Sequence, residues 1–385
     1  MEESATIKMS QDARDLAAQG HEVISLSLGE PDFDTPEHIK EAAKQALDNG
    51  YTKYTPVPGL PMLREAISEK LERDNDLHYK PSQIVVSNGA KQTIANLSLS
   101  LLGEGDECIV FAPYWVSYYE IIRLSEATPV PIYAGIEQDF KVTPEQLREA
   151  ITPRTRMILF SSPCNPTGSV YTRQELEALS EVVLAHDDIV VVSDEIYEYI
   201  NFMDRHVSIG AIDGMQDRTV TVNGFSKGFA MTGWRLGYMG APQYIADACS
   251  KMQGQFTSGA NAFGQVAAAH ALRADMQPTL DMKAAFAKRR ALVLTLLREI
   301  PDLIVNEPQG AFYVFFNVSA YFGRTLRGYD IADGDAFCTY LLHEAHVAIV
   351  PGSAFGADAY ARLSYASSEA ALREAIGRMK AALTV

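Results

Sequence analysis

Apolar positions recur with helical spacing over residues 36–49 and 60–77, and the turn-rich YTKYTPVPGLP at 51–61 separates the two stretches. From residue 84 the pattern changes to short apolar runs bounded by turn residues. These runs are IVVSN (84–88), CIVFAP (108–113), PVPIYA (129–134), MILFSSP (157–163), IVVVSDE (189–195) and TVTVNGFS (219–226). Helical patterns fall between several of them, at 90–102, 114–124, 144–151 and 172–187. Strands that alternate with helices predict an α/β fold with a mostly parallel central sheet flanked by helices on both faces. The tail, 283–385, mixes helices with GAFYVFFNV and ARLSYA and predicts a smaller α+β lobe. No internal repeat or low-complexity segment interrupts this order.

Length and composition narrow the picture. A chain of 385 residues suits two domains, or one large domain with a satellite. No run of eighteen apolar residues occurs, so no membrane span is expected. The four cysteines lie far apart, with no C-x-x-C pair, and the polar opening MEESATIKMSQDARDL has no apolar signal core; both predict a reducing cytoplasm. A net charge of −16 disfavours nucleic acid and anionic membranes as partners. An anionic substrate would therefore need a local cationic pocket. The basic cluster Lys288-Arg289-Arg290 sits in a helical stretch and is expected to be a solvated face.

In a parallel sheet, ligands sit beyond the C-terminal strand ends, and the unusual residues of this chain are there: SNGAK, SSPCNPTG, SDEIYEY and NGFSKG. Gly224-Phe225-Ser226-Lys227-Gly228 fits the G-x-S-x-G elbow of serine hydrolases, with His270, His343 or His346 as candidate bases. The elbow needs a helix after the serine, and the glycine-rich continuation KGFAMTGWRLGYMG makes a poor one. GEGDE at 103–107 precedes a strand instead of following one, so it reads as a turn and not a dinucleotide loop. His343 and His346, in HEAH, lack a third metal ligand and read as helix-surface residues; no metal site is expected. Lys227 explains more. A lysine at a strand end, beside a hydroxyl and eight residues before Arg235, suits an imine-forming amine next to a phosphate cup. Pyridoxal 5′-phosphate (PLP) asks for such a lysine, a carboxylate for its ring nitrogen, donors for its phenolic oxygen, and a phosphate site.

SLGEPDFDTP, TKYTPVPG, APYWVSY, SSPCNPTG, VSDEIYE, SKGFAMTGWRLGY and RLSYA, in that order along nearly the whole chain, resemble the class I, fold-type-I aminotransferases. The likeness is greatest to the bacterial subgroup Ib aspartate aminotransferases. The resemblance implies a large PLP-binding domain over 38–282 and a small domain from 1–37 and 283–385. It implies that Lys227 carries the Schiff base and shuttles a proton between the substrate Cα and the cofactor C4′. Asp194 would pair with the pyridine nitrogen, and Asn165 and Tyr197 would donate to the phenolic oxygen. Trp115 would stack on the ring. The phosphate would be held by Gly89, Ala90, Ser226 and Arg235, with Tyr54 reaching across from the neighbouring subunit of a homodimer. Arg362 would clamp the substrate α-carboxylate, and Gly29 would approach it through its backbone. Glu195, next to Asp194, points to the opposite face of its strand and reads as structural.

Within the resemblance, Lys91 stands where a lysine serves the distal carboxylate, with Ala90 replacing a glycine. This implies aspartate or glutamate as donor, and oxaloacetate or 2-oxoglutarate as acceptor, in a ping-pong exchange between PLP and its amine form. Relatives that accept prephenate carry a basic residue before the SAT segment, where this chain has Glu2-Glu3; weak prephenate turnover is expected. A β-lyase, an aminotransferase of aromatic or alanine-type substrates, and the serine hydrolase are the alternatives.

Overall fold

The computed structural model describes residues 5–203 and 205–384, so the Glu2-Glu3 segment lies outside the described residues. Helix α1 (Ala5–Ala18) and the short strand β1 (Ile24–Ser25) lead into α2 (Glu37–Asp48) and α3 (Pro61–Asn75). Seven strands then build the central sheet: β2 (Ile84–Ser87), β3 (Glu107–Ala112), β4 (Thr128–Tyr133), β5 (Thr155–Ser161), β6 (Val190–Asp194), β7 (Thr219–Gly224) and β8 (Gly237–Gly240). Between them run α4 (Ala90–Leu101), α5 (Ser117–Leu124), α6 (Pro144–Ala150) and α7 (Arg173–Leu184), and α8 (Gln243–Phe256), α9 (Ala262–Arg273) and α10 (Gln277–Leu297) follow.

The strand order is β2-β8-β7-β6-β5-β3-β4, and only β8 runs against the rest. β3, β5, β6 and β7 are buried on both faces, which is why they read as continuous apolar runs. β4 carries Pro129 and Pro131 and stands at the edge, where a missing N–H costs no ladder bond. β8, the reversed strand, is too short and glycine-rich to show a pattern. Its glycines answer to packing: a Cβ on Gly237 would lie 2.2 Å from the backbone nitrogen of Ala90, and one on Gly240 2.5 Å from the Tyr79 ring.

The tail adds β9 (Ile304–Val305), β10 (Tyr313–Asn317), the hairpin β11 (Arg324–Leu326) and β12 (Tyr329–Ile331), α11 (Gly334–Tyr340), β13 (Val347–Ala348), β14 (Val350–Pro351), β15 (Tyr360–Ser364) and α12 (Glu369–Leu383). β14-β15-β10-β9 form an antiparallel sheet, and β13 pairs in parallel with β1. One apolar cluster joins Met9, Ala13 and Leu16 of α1 to Phe286 of α10, Phe312 and Phe316 around β10, and Leu372 and Met379 of α12. The two chain ends thus share a core.

Three local expectations change. The helix foreseen from 114 starts at Ser117: the N–H of Tyr114 is taken by the carbonyl of Phe355 at 3.2 Å, so 114–116 stay in a loop. Only Lys288 of the basic cluster is solvated. The Arg289 side chain is 12 % exposed, bonded to Asp32 at 2.6 Å and lying over the ring of Phe33, while Arg290 donates to the carbonyl of Pro308. Arg289 thus ties the segment before α2 to α10, and Arg290 ties α10 to the loop before β10. His343 is exposed, as a helix-surface residue should be, but its turn, Leu341–Ala345, is π-helical, and His346 ends it half-buried with a left-handed φ of 52°.

Candidate active site

Six strands share a direction, so their C-terminal ends lie along one edge of the sheet, and β8 begins on that edge because Gly237 pairs with both Ser87 and Gly224. A cavity of about 460 Å³ opens there. It gathers Ala90 and Lys91 from α4, Trp115 from the loop before α5, Asn165 after β5, Asp194 at the end of β6, Tyr197 just beyond it, Ser226 and Lys227 after β7, and Arg235 before β8. Gly29 and Arg362 close it from the other side. Of the residues singled out in the sequence, Gly89 and Tyr54 do not line the cavity. Gly89 borders it as the residue before α4, with φ 87°. Tyr54 is fully exposed in the single chain.

Lys227 is partly buried and donates to the carbonyl of Gly29. Burial, with Arg362 and Arg235 nearby, lowers its pKa to about 8, against the opposing pull of Glu30 and Asp194. Asp194 shows the converse. Its carboxylate accepts from the Tyr118 hydroxyl at 2.6 Å and from the N–H of Ile196 at 3.2 Å, yet burial raises its pKa to about 6. A carboxylate so placed is short of a cationic partner.

Arg362 is 2 % exposed. Nη1 donates to Asn165 Oδ1 at 2.9 Å and Nη2 to the carbonyl of Ser27 at 2.6 Å, while Nε has no partner among the described residues. Its guanidinium lies over the rings of Tyr313 (4.5 Å) and Phe355 (4.8 Å). No carboxylate of the described residues pairs with it, and burial lowers its pKa. A buried guanidinium in that condition is a site for an anion. Lys91 adds to the field. Its side chain is exposed at the rim of the cavity in the single chain, its Nζ lies 4.9 Å from the Trp115 ring, and desolvation by the groups around it, then Arg235, lower its pKa. Four cations therefore face Asp194 and Glu30 in a chain of net charge −16, and this is the local cationic pocket that the overall charge demanded.

The end of the cavity near α4 is shaped for a compact anion. N–H groups of the first helical turn lack helix-internal acceptors, the Ser226 hydroxyl lines the same wall, and a Cβ on Gly89 would lie 2.5 Å from Nη2 of Arg235. Arg235 is held there in the left-handed region, φ 54°, with Nη1 on the carbonyl of Thr232.

Behind Asp194, Glu195 faces away from the cavity, where it accepts from Ser193 (3.0 Å), Ser208 (2.6 Å) and His206 Nε2 (2.8 Å). Fully buried Lys70 pairs with Glu198, and Asn75 donates to Glu198. Glu195, Glu198 and His206 come within metal-ligand reach of one another, but the ammonium of Lys70 already supplies the compensating cation. The elbow reading of Ser226 fails here: turns follow β7 in place of a helix, and no histidine lines the cavity. Tyr313 and Tyr118 also line it, and the sequence singles out neither: Tyr313 sits in an apolar run that reads as core, and Tyr118 closes APYWVSY without a role assigned to it.

The family model described as aminotransferase class I and II matches residues 21–379. A relative from Cereibacter sphaeroides named aspartate/prephenate aminotransferase is 46% identical over 98% of this chain and 95% of its own. One from Geobacillus stearothermophilus named aspartate aminotransferase is 45% identical over 98% of this chain and 95% of its own. A crystal structure of the aspartate aminotransferase from Rhizobium meliloti superposes with a TM-score of 0.97 at 42% identity, covering 100% of this chain and 96% of that one.

Proposed function

The chain belongs to the class I and II aminotransferases, and from that premise we propose that it moves the amino group of aspartate to 2-oxoglutarate, giving oxaloacetate and glutamate. The family's cofactor is PLP, and the cavity fits it. An under-compensated buried acid, a lysine of lowered pKa, and a cradle that Cβ atoms would fill stand together. When bound, PLP supplies an aldehyde that takes up the amino group and a ring that delocalises the electron pair left at Cα.

Lys227 would hold the aldehyde and, as a neutral amine, would carry the proton taken from the substrate Cα. Asp194 would hold the ring nitrogen in its protonated form, and the bond from Tyr118 fixes the carboxylate's orientation. Tyr197 and Asn165 would donate to the phenolic oxygen, and Trp115 would cover a face of the ring. The N–H groups at Gly89 and Ala90, the Ser226 hydroxyl and the fork of Arg235 would hold the phosphate, completed in a homodimer by the Tyr54 contributed from the other copy. Arg362 grips the α-carboxylate beside the Gly29 backbone, and Lys91 receives the distal carboxylate. We place the division at a large domain, 38–282, and a small one, 1–37 with 283–385, and the protein in the cytoplasm. Among the described residues no helix is long and apolar enough to cross a membrane.

One observation carries the reading: Arg362, buried and without a carboxylate, in the same cavity as Lys227. Profiling of amino donors and keto acceptors tests it. Aspartate and glutamate should far exceed alanine and phenylalanine as donors; equal activity with alanine would overturn the dicarboxylate assignment. A broader acceptor range is the second reading, favoured by relatives named for prephenate. Turnover of prephenate comparable to that of oxaloacetate would establish it.

A further inference from the structure

Tyr313 belongs to β10 of the small sheet, yet it touches three parts of the cavity. Its hydroxyl lies 2.7 Å from that of Tyr197, which follows β6 of the large sheet. Its ring carries the Arg362 guanidinium at 4.5 Å. Its hydroxyl also occupies the space beside Gly29, where a Cβ would come within 2.4 Å of it. The side chain is wholly buried, so its hydroxyl is directed to partners inside the protein.

Counting protons fixes the direction of the Tyr197–Tyr313 bond. Burial raises the pKa of both phenols, so each keeps its one proton at neutral pH. If Tyr197 gives its proton to the phenolic oxygen of the cofactor, the proton shared across the 2.7 Å contact must come from Tyr313. We propose that Tyr313 is a positioning residue for Tyr197: its hydroxyl donates to the Tyr197 oxygen and commits the Tyr197 proton to the cofactor, while its ring supports Arg362. This rests on the PLP reading of the cavity. A donor that itself accepts a hydrogen bond is polarised and donates more strongly. Tyr313 thereby strengthens the bond that favours the cofactor's phenolate and lowers the pKa of its linkage to Lys227. The groups facing this pair are Arg362, Lys227 and Asp194, each of which lines the cavity.

Tyr313→Phe separates the two roles, because it removes the hydroxyl and leaves the ring under Arg362. In cofactor-loaded protein without substrate, the absorbance midpoint of the Lys227 linkage should move to higher pH by about half a unit to one unit, the size expected for one hydrogen bond. The KM for 2-oxoglutarate should stay within about threefold of wild type, since the ring remains in place. Tyr313→Leu, which also removes the ring, should raise that KM by about tenfold or more. Tyr197→Phe and the double variant Tyr197→Phe/Tyr313→Phe should share one midpoint, because Tyr313 acts through Tyr197. An unchanged midpoint in Tyr313→Phe, or a double variant shifted beyond Tyr197→Phe, overturns the proposal and leaves the PLP reading standing. Wild-type protein that shows no cofactor band overturns the reading and the proposal together.

Discussion

Nη1 of Arg362 donates to the side-chain oxygen of Asn165 across 2.9 Å, joining residues 197 positions apart, one in β15 and one in the loop after β5. With Ser27 holding Nη2, the guanidinium is fixed before any substrate arrives, so little rotamer freedom is lost on binding. Arg362→Lys cannot keep both bonds and also present a fork to a carboxylate. It should lower kcat/KM by about 100-fold, a loss of about 3 kcal/mol. Steady-state kinetics with aspartate and with alanine should show the same loss, because both donors carry the α-carboxylate.

Lys227 predicts how cofactor capture depends on pH. Its pKa in the ligand-free chain is about 8, pushed down by burial, and only the neutral amine attacks an aldehyde. The rate of PLP capture by cofactor-free protein should rise roughly tenfold per pH unit below about 8 and level off above it. Stopped-flow absorbance between pH 6 and pH 9.5 measures this. A midpoint near 10 would mean that burial does not act on this amine.

Asp194 works in the opposite sense. Burial raises its pKa to about 6, above the ordinary carboxylate value of roughly 4. The folded, ligand-free chain therefore holds this proton more tightly than the unfolded one, and its stability falls as pH rises from about 4 to about 6. At pH 7.5 the ionised carboxylate costs about 3 kcal/mol, which a protonated ring nitrogen would offset. Asp194→Asn without cofactor should thus melt higher than wild type at pH 7.5 and gain less from added PLP. Thermal denaturation with and without PLP, at pH 5 and pH 7.5, checks both halves.

The pair behind the site is a stability element. Lys70 is fully buried and ion-paired with Glu198, which also accepts from Asn75. Lys70→Met leaves the buried carboxylate of Glu198 without its cation and should cost about 3–5 kcal/mol. Lys70→Met/Glu198→Leu should recover most of it, because removing both charges removes the uncompensated one. Equal melting of the single and double variants would count against the charge argument.

The strands and the cavity edge were legible because β5, β6 and β7 are buried on both faces and end in polar motifs. Asp194 and Lys227 interrupt apolar runs, and an ionisable group at a buried strand end needs a reason. Tyr313 needed none. In GAFYVFFNV a tyrosine among phenylalanines is ordinary core, and only the approach of β10 to Tyr197 shows where its hydroxyl goes. Arg289 and Arg290 misled for the same reason: their partners, Asp32 and the carbonyl of Pro308, are brought to them by tertiary contact. β8 gave no pattern because its glycines are there for the neighbours that press on them.

Lys91 decides between donors. It sits in the first turn of α4, where the helix dipole disfavours a cation. Burial and Arg235 lower its pKa further, and its Nζ rests against the Trp115 ring. None of the described carboxylates relieves that cost, so an anion entering the cavity gains from both Lys91 and its surroundings. Aspartate brings such an anion and alanine does not. Lys91→Met should therefore lower kcat/KM for aspartate by about 100-fold while leaving alanine within about threefold, whereas Arg362→Lys depresses both donors alike. If Lys91→Met reduced both donors equally, the lysine would be supporting the phosphate end of the cavity through Arg235, and the distal carboxylate would have to be met by another cation.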